Sequence, residues 1–338
     1  MKQIFAVHLN KYETLKNSDK GDRVLCTITP SLRISVPILW AAKSMVKIMI
    51  KKKTTIILIT GLLLMLVLFT AGCTTQSSES AKEISIGYVT WDCAISSSNV
   101  MKQVFEKAGY DVELVAVDAG PLYQALADGD VDFTTTAWLP YTHESYWDTY
   151  GDRIEYVHEN IKGSARIGLV VPSYVTIDSI DELGSVADKF DGKIIGIEPG
   201  AGITIRTEQA IDEYGLPLTL VTSSSAGMAA ELASNVKKGD WIVVTGWSPH
   251  WKFSRYDLKY LEDPKGVYGG AEDIVTLARS GLKADDPNAY GILNRFEWTI
   301  ADITSVMNAI EGGMSEKDAA KAWVNANPDT VAYWIGTA

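Results

Sequence analysis

Short apolar runs alternate with helix-like stretches along this chain, and they do so in two separate series. That alternation limits the architectures open to it. The first series begins at Glu83 with the extended run Ile84-Ser85-Ile86-Gly87-Tyr88-Val89. A helical pattern over 98–108 stops at Gly109, a second strand covers 111–117, and Asp118-Ala119-Gly120-Pro121 opens another helix. Asp118 suits the N-cap of that helix and Pro121 its first turn. A third strand covers 132–137. An apolar strand at 166–171 then arrives without a helix of the same kind before it. The second series follows, with strands at 193–197, 218–221 and 241–245 and helices at 204–214 and 226–234. A strand at 274–279 and a mostly helical stretch over 286–334 complete the chain. Strands alternating with helices of this length predict parallel α/β architecture. Two such half-series joined by strands predict two lobes with a cleft between them, and ligands of open α/β sheets bind beyond the carboxyl ends of the strands.

Charge separates the N-terminal stretch from the rest. Residues 1–72 hold 11 Lys and Arg against 3 Asp and Glu, a net of +8. Taking that +8 from the whole chain's -11 leaves -19 on residues 73–338. A body that acidic repels nucleic acid, and its far field draws small cations if anything. Lys51-Lys52-Lys53 precedes an apolar run over 56–69 that is shorter than a membrane span of about 20 residues. A basic flank, a short apolar core and small residues before a cysteine describe a secretory signal. Its end, Leu68-Phe69-Thr70-Ala71-Gly72-Cys73, resembles a bacterial lipobox, although Thr70 stands where Leu is usual. The expectation is a signal peptide at 45–72, lipidation at Cys73 and a polar tether over 73–82. A retained single-helix anchor is the alternative, and both leave the body outside the membrane. Residues 1–44 fit neither signal nor domain, so they are read as a non-native extension, with translation starting at Met45 or Met49. The other cysteines, Cys26 and Cys93, have no spacing that suits a metal site or a disulfide framework. Cys93 is expected to be a small buried residue.

The ten Trp residues need a reason. Three stand just after predicted strands: Trp91 in Val89-Thr90-Trp91-Asp92, Trp138 in Thr136-Ala137-Trp138-Leu139-Pro140, and Trp247 in Thr245-Gly246-Trp247-Ser248-Pro249. A single Trp is more often a packing residue. Three at equivalent positions, divided between the two half-series, point into a cleft. A quaternary ammonium carries no N–H, so aromatic faces rather than carboxylates are what meet its charge, and Trp does so best. Two features suit an anion: His143, five residues after Trp138, and Glu198-Pro199-Gly200-Ala201-Gly202-Ile203, whose glycines let backbone N–H groups at a helix start approach a carboxylate. The same segment falls short of a dinucleotide fingerprint, because Ile205 replaces the third Gly. Gly-x-Ser-x-Gly, His-Glu-x-x-His and phosphate-loop motifs are lacking, which argues against an enzyme. No metal or cofactor is implied.

Taken together, these residues resemble the substrate-binding proteins of glycine betaine and proline betaine ABC importers. The matching stretches are Trp138-Leu139-Pro140-Tyr141-Thr142-His143, Asp118-Ala119-Gly120-Pro121, Thr245-Gly246-Trp247-Ser248-Pro249-His250-Trp251, Glu198-Pro199-Gly200-Ala201-Gly202-Ile203 and the run to Tyr260-Leu261-Glu262-Asp263-Pro264. The resemblance covers residues 83–338. It implies a two-lobed type II periplasmic-binding-protein fold closing on its ligand, with lobe I at 83–170 plus 272–338 and lobe II at 171–271. Members of the family differ in lobe order by a circular shift. The resemblance further implies a Trp prism of Trp91, Trp138 and Trp247 around a trimethylammonium, with the carboxylate held by His143 and the backbone N–H groups of Gly202 and Ile203. Tyr141 is a candidate pocket residue, and Asp118 is read as a helix cap. Trp147, Trp251, Trp298, Trp323, Trp334 and His250 are expected to be structural. The implied partners are glycine betaine or a related betaine and a membrane permease with its cytoplasmic ATPase, and the implied state is a lipid-anchored monomer. A choline or carnitine binder is the near alternative, and an extracytoplasmic sensor or enzyme is the alternative from another class.

Overall fold

A computed structural model describes residues 81–338. The expected extension at 1–44, the signal at 45–72 and the tether as far as residue 80, Cys73 included, lie outside the described residues. No helix among the described residues is long and apolar enough to cross a membrane.

The first series forms β1 (Lys82–Tyr88), α1 (Asp92–Lys107), β2 (Tyr110–Ala116), α2 (Ala119–Asp128) and β3 (Phe133–Leu139), with β1 parallel to both β2 and β3. Alternation in β1 turns Ile84 and Ile86 into the core. Every residue of β3 is buried, as a strand covered on both faces must be. Phe105 of α1 packs its ring 5.1 Å from that of Phe133. Burying one such side chain contributes about 1.5–3 kcal/mol. After α3 (Glu144–Tyr150) comes β4 (Ile154–Pro172), a strand of 19 residues.

The second series forms β5 (Lys193–Ile195), α4 (Gly202–Tyr214), β6 (Thr219–Val221), α5 (Ser225–Lys238) and β7 (Val244–Ser248), with β5 parallel to β6 and β7. A short α6 (Lys252–Arg255) and β8 (Leu258–Tyr260) lead to β9 (Glu272–Arg279). Helices α7 (Leu282–Asp285), α8 (Pro287–Arg295), α9 (Ile300–Glu311), α10 (Glu316–Ala326) and α11 (Pro328–Ile335) close the chain. α9 and α10 pack on α1. Trp298, Trp323 and Trp334 cluster as core residues, Trp298 edge-on to Trp323 with centroids 5.8 Å apart and Trp323 stacked on Trp334 at 5.5 Å.

The sheet order is β2-β1-β3-β9-β4-β7-β5-β6, with β8 beside β4. It departs from an all-parallel sheet in its middle, where β9 runs antiparallel to β3 and β4, and β4 antiparallel to β7 and β8. β4 joins the two halves. Its residues up to Ala165 pair with β9, through three register shifts, and from Arg166 on it pairs with β7. Each irregularity bends a strand, which curls the sheet around the line where the halves meet.

Three local expectations need correcting. α1 begins at Asp92, not at residue 98, because Ser96, Ser97 and Ser98 are buried against the sheet, where small side chains permit close packing. Trp138 and Trp247 lie inside β3 and β7 rather than after them. Their antiparallel neighbours carry the pairing further, Trp138 opposite Ile274 and Trp247 opposite Ile167. Asp118 is the N-cap of α2 by position, but its side chain makes no capping hydrogen bond.

Candidate ligand-binding site

The two halves are in contact, and a narrow cavity of about 20 Å³ lies between them. It is lined by Trp91, Trp138 and Trp247, by His143 with Thr142 and Cys93, and by Ile167, Ile197, Ala201, Gly202 and Ile203. All three Trp are buried, at 6%, 2% and 4% exposed. No carboxylate lines this cavity. Tyr141 does not line it either. The Tyr141 ring lies against Gly269 and Gly270, and the residue is 38% exposed.

Each ring is held by the fold. Trp91 sits in extended backbone at the N-cap of α1, and its indole N–H donates to Glu198 Oε1 from the other half. Its ring lies 5.7 Å from that of His143. The backbone N–H of Trp138 donates to His143 Nδ1 at 3.2 Å, and the Tyr123 hydroxyl lies 3.1 Å from the same atom. A backbone N–H can only donate, so Nδ1 is the bare nitrogen and Nε2 carries the proton. Nε2 is buried and makes no hydrogen bond among the described residues. Burial lowers the His143 pKa to about 3, so the ring is a neutral donor aimed at whatever fills the cavity. The loop before it is fixed by buried Glu272, which accepts the N–H groups of Tyr141 and Thr142, at 3.3 and 3.0 Å, and the Thr142 hydroxyl.

Opposite stands the N-terminus of α4. Thr204 and Ile205 turn their N–H groups to the Ala201 carbonyl, at 2.9 and 3.1 Å. Ala201, as N-cap, has no side-chain oxygen to offer Gly202 and Ile203, whose N–H groups are orphans of the first turn. Free N–H groups at a helix start, with the helix dipole, are the kind of arrangement that suits an anion. Gly202 is required for the close approach: a Cβ there would stand 2.1 Å from the Thr142 carbonyl oxygen.

Further contacts cross between the halves. Asp92, the first residue of α1, accepts from Ser225 Oγ at 2.8 Å and Trp251 Nε1 at 2.7 Å, and it faces His250 Nε2 at 3.4 Å. Burial alone would raise its pKa, but the His250, Ser225 and Trp251 contacts together hold it well below the usual carboxylate range. At the rim, Arg206 reaches Glu144 at 2.6 Å and the Tyr141 carbonyl at 2.9 Å, and the Tyr146 hydroxyl donates to the Gly200 carbonyl. Asp92, Tyr123 and Glu272 carry no motif of their own, whereas Glu198 opens the Glu198–Ile203 stretch. Of the first three, only the position of Asp92, between Trp91 and Cys93, hinted at a part in the site. Among the described residues no group of three or more His, Cys, Asp and Glu is placed to hold a metal ion.

Residues 82–326 match the family described as the substrate binding domain of ABC-type glycine betaine transport system. The chain belongs to this family. The glycine betaine/carnitine transport binding protein GbuC of Listeria monocytogenes is 44% identical over 162 residues, which is 47% of this chain and 54% of that protein. The match thus spans about half the length of that curated relative. The fold is the two-lobed periplasmic-binding-protein fold. The crystal structure of lactococcal OpuAC, closed and complexed with glycine betaine, matches with a TM-score of 0.72 at 41% identity, covering 75% of this chain and 99% of that one. An ABC-transporter choline binding protein in complex with choline matches at TM-score 0.72 and 26% identity, covering 77% of this chain and 93% of that one. GbuC is described as a transport binding protein, and the choline-complexed relative as an ABC-transporter binding protein.

Proposed function

We propose that this protein is a binder without catalysis that captures glycine betaine outside the cytoplasmic membrane and delivers it to an ABC permease driven by a cytoplasmic ATPase. The observation that carries this reading is a buried cavity lined by three Trp rings and no carboxylate. An ordinary ammonium would leave its N–H groups unpaired there, whereas a trimethylammonium has none to pair. The same cavity also offers His143 Nε2–H and the N–H groups of Gly202 and Ile203, donors that match a carboxylate. Choline lacks that group and would leave all three donors unpaired, which favours a betaine. Proline betaine carries both groups and is an acceptable second ligand.

The protein acts as a monomer held to the outer face of the membrane by a lipid on Cys73, at the end of the tether over 73–82. Its lobes are 83–170 with 272–338 and 171–271. The change of partner along β4 supports a junction a few residues earlier, between Ala165 and Arg166. Calorimetric titration with glycine betaine, proline betaine, carnitine and choline tests the reading. Glycine betaine binds and choline binds more weakly. Replacing Trp91, Trp138 or Trp247 singly by Ala weakens glycine betaine binding about tenfold or more, as the loss of a contact worth over ~1.4 kcal/mol requires. Unchanged affinity in all three variants refutes the Trp cage.

A further inference from the structure

Next to the cage lies a cation that the site as described does not use. Lys252, the first residue of α6, is fully buried, and its Nζ makes no hydrogen bond or ion pair among the described residues. Instead Nζ lies over the Trp247 ring, 4.1 Å from its centroid, with Phe253 more distant at 5.7 Å. Trp247 lines the cavity and Lys252 does not. The indole therefore borders both the cavity and the buried lysine.

A ring holds a cation through one quadrupole, so an ammonium already seated on it weakens what it can offer a second cation. Two positive charges against one ring, in a site shut off from water, also repel each other. We propose that Lys252 is a positioning residue that sets the strength of the Trp247 face, so that capture of a quaternary ammonium is coupled to release of the Lys252 proton to solvent. This rests on the quaternary ammonium reading above.

The surroundings allow the proton to leave. Burial lowers the Lys252 pKa to about 7, against the pull of Asp92 at the start of α1. Burial pushes the Cys93 thiol up to about 12, so it stays neutral. His250, in the turn before α6, has its pKa lowered to about 4, first by burial and then by Lys252, and is neutral too. From α9, Glu311 faces this short helix but is paired with Arg255. Asp92 is thus the one charge that favours the protonated lysine, and it is already occupied by Ser225, Trp251 and His250. With a folded pKa near 7, Lys252 is charged and obstructive below neutrality and uncharged above it, so affinity rises with pH.

The test is calorimetric titration of glycine betaine into the wild type and Lys252→Met at pH 6, 7 and 8, each in two buffers of different ionisation enthalpy to count protons. The wild type should bind about tenfold more tightly at pH 8 than at pH 6 and release a fraction of a proton near pH 7. Lys252→Met should show neither effect and should bind at pH 6 at least as tightly as the wild type does at pH 8. The variant reproducing the wild-type pH profile and proton count overturns the proposal, as does a wild type indifferent to pH. If Lys252→Met does not fold, NMR titration of the lysine side chains in the wild type decides. A Lys252 midpoint lowered by glycine betaine supports the coupling, and an unmoved midpoint refutes it. Absence of glycine betaine binding at every pH would overturn the ligand reading itself, and is distinguishable from binding without proton release.

Discussion

Gly202→Ala tests whether closure and carboxylate binding depend on the same close approach. The new Cβ would stand 2.1 Å from the Thr142 carbonyl oxygen and 2.7 Å from Thr142 Cγ2, and the carbonyl is backbone that no rotamer change can move aside. Restoring ordinary contact requires the start of α4 and the loop before His143 to separate by about 1 Å. A carboxylate gripped by His143 on one side and by the N–H groups of α4 on the other then loses one side of its grip, since a hydrogen bond about 1 Å too long is no longer one. A hydrogen bond to a charged group contributes about 1.5–3 kcal/mol, so glycine betaine affinity should fall about 10- to 100-fold. The ligand-free protein can relax by opening, and Ala is a better helix former than Gly. Its Tm without ligand should therefore hold or rise. Calorimetry gives the affinity, and thermal melts with and without betaine give the stability. Wild-type affinity, together with an undiminished rise of Tm on adding betaine, would refute the account of Gly202.

Two further predictions concern charge. Asp92→Asn keeps the shape but weakens the acceptor shared by Ser225, Trp251 and His250, so betaine should dissociate faster and bind about tenfold more weakly in stopped-flow and equilibrium measurements. His143 is buried neutral with a pKa near 3 against 6.5 unfolded. The unfolded chain therefore binds the extra proton first, and stability that is complete above about pH 6.5 is lost as pH falls. The loss at pH 5 is about 2 kcal/mol, and His143→Gln should reduce the pH dependence of urea unfolding between pH 7 and 5 by about that amount.

The alternation of strands and helices was legible because each parallel unit is a local pattern, an apolar run followed by an amphipathic helix. The antiparallel middle of the sheet was not. The first part of β4 reads Ile154-Glu155-Tyr156-Val157-His158-Glu159-Asn160-Ile161, mostly half-buried and interrupted by register shifts, so it never shows a clean period of two. Its partner β9 lies more than a hundred residues further on in sequence. The same non-local pairing brought Trp138 and Trp247 inside their strands. In α1 the triplet Ser96-Ser97-Ser98 reads as a weak helix former, yet the helix runs through it, with all three side chains buried and Ser97 meeting Thr135 across the interface at 2.6 Å.

The cavity-lining residues were legible for a different reason: the chemistry of the proposed ligand leaves little choice of residue type. A charge without N–H groups calls for aromatic faces, and a carboxylate at a helix start calls for a residue as small as Gly. Asp92, Tyr123, Glu198 and Glu272 are ordinary residues whose partners come from elsewhere in the chain, so only the fold gives them a role. The sequence Trp91-Asp92-Cys93 joins the two kinds. Trp91 is extended at the helix cap, lines the cavity and donates to Glu198. Asp92 begins α1 and accepts from Ser225 and Trp251. Cys93 lines the cavity again. Because the chain turns from strand to helix at this point, neighbouring side chains are sent alternately to the cavity and to the opposite lobe. The lining of the cavity and the contact between the lobes are thus carried by one turn of backbone.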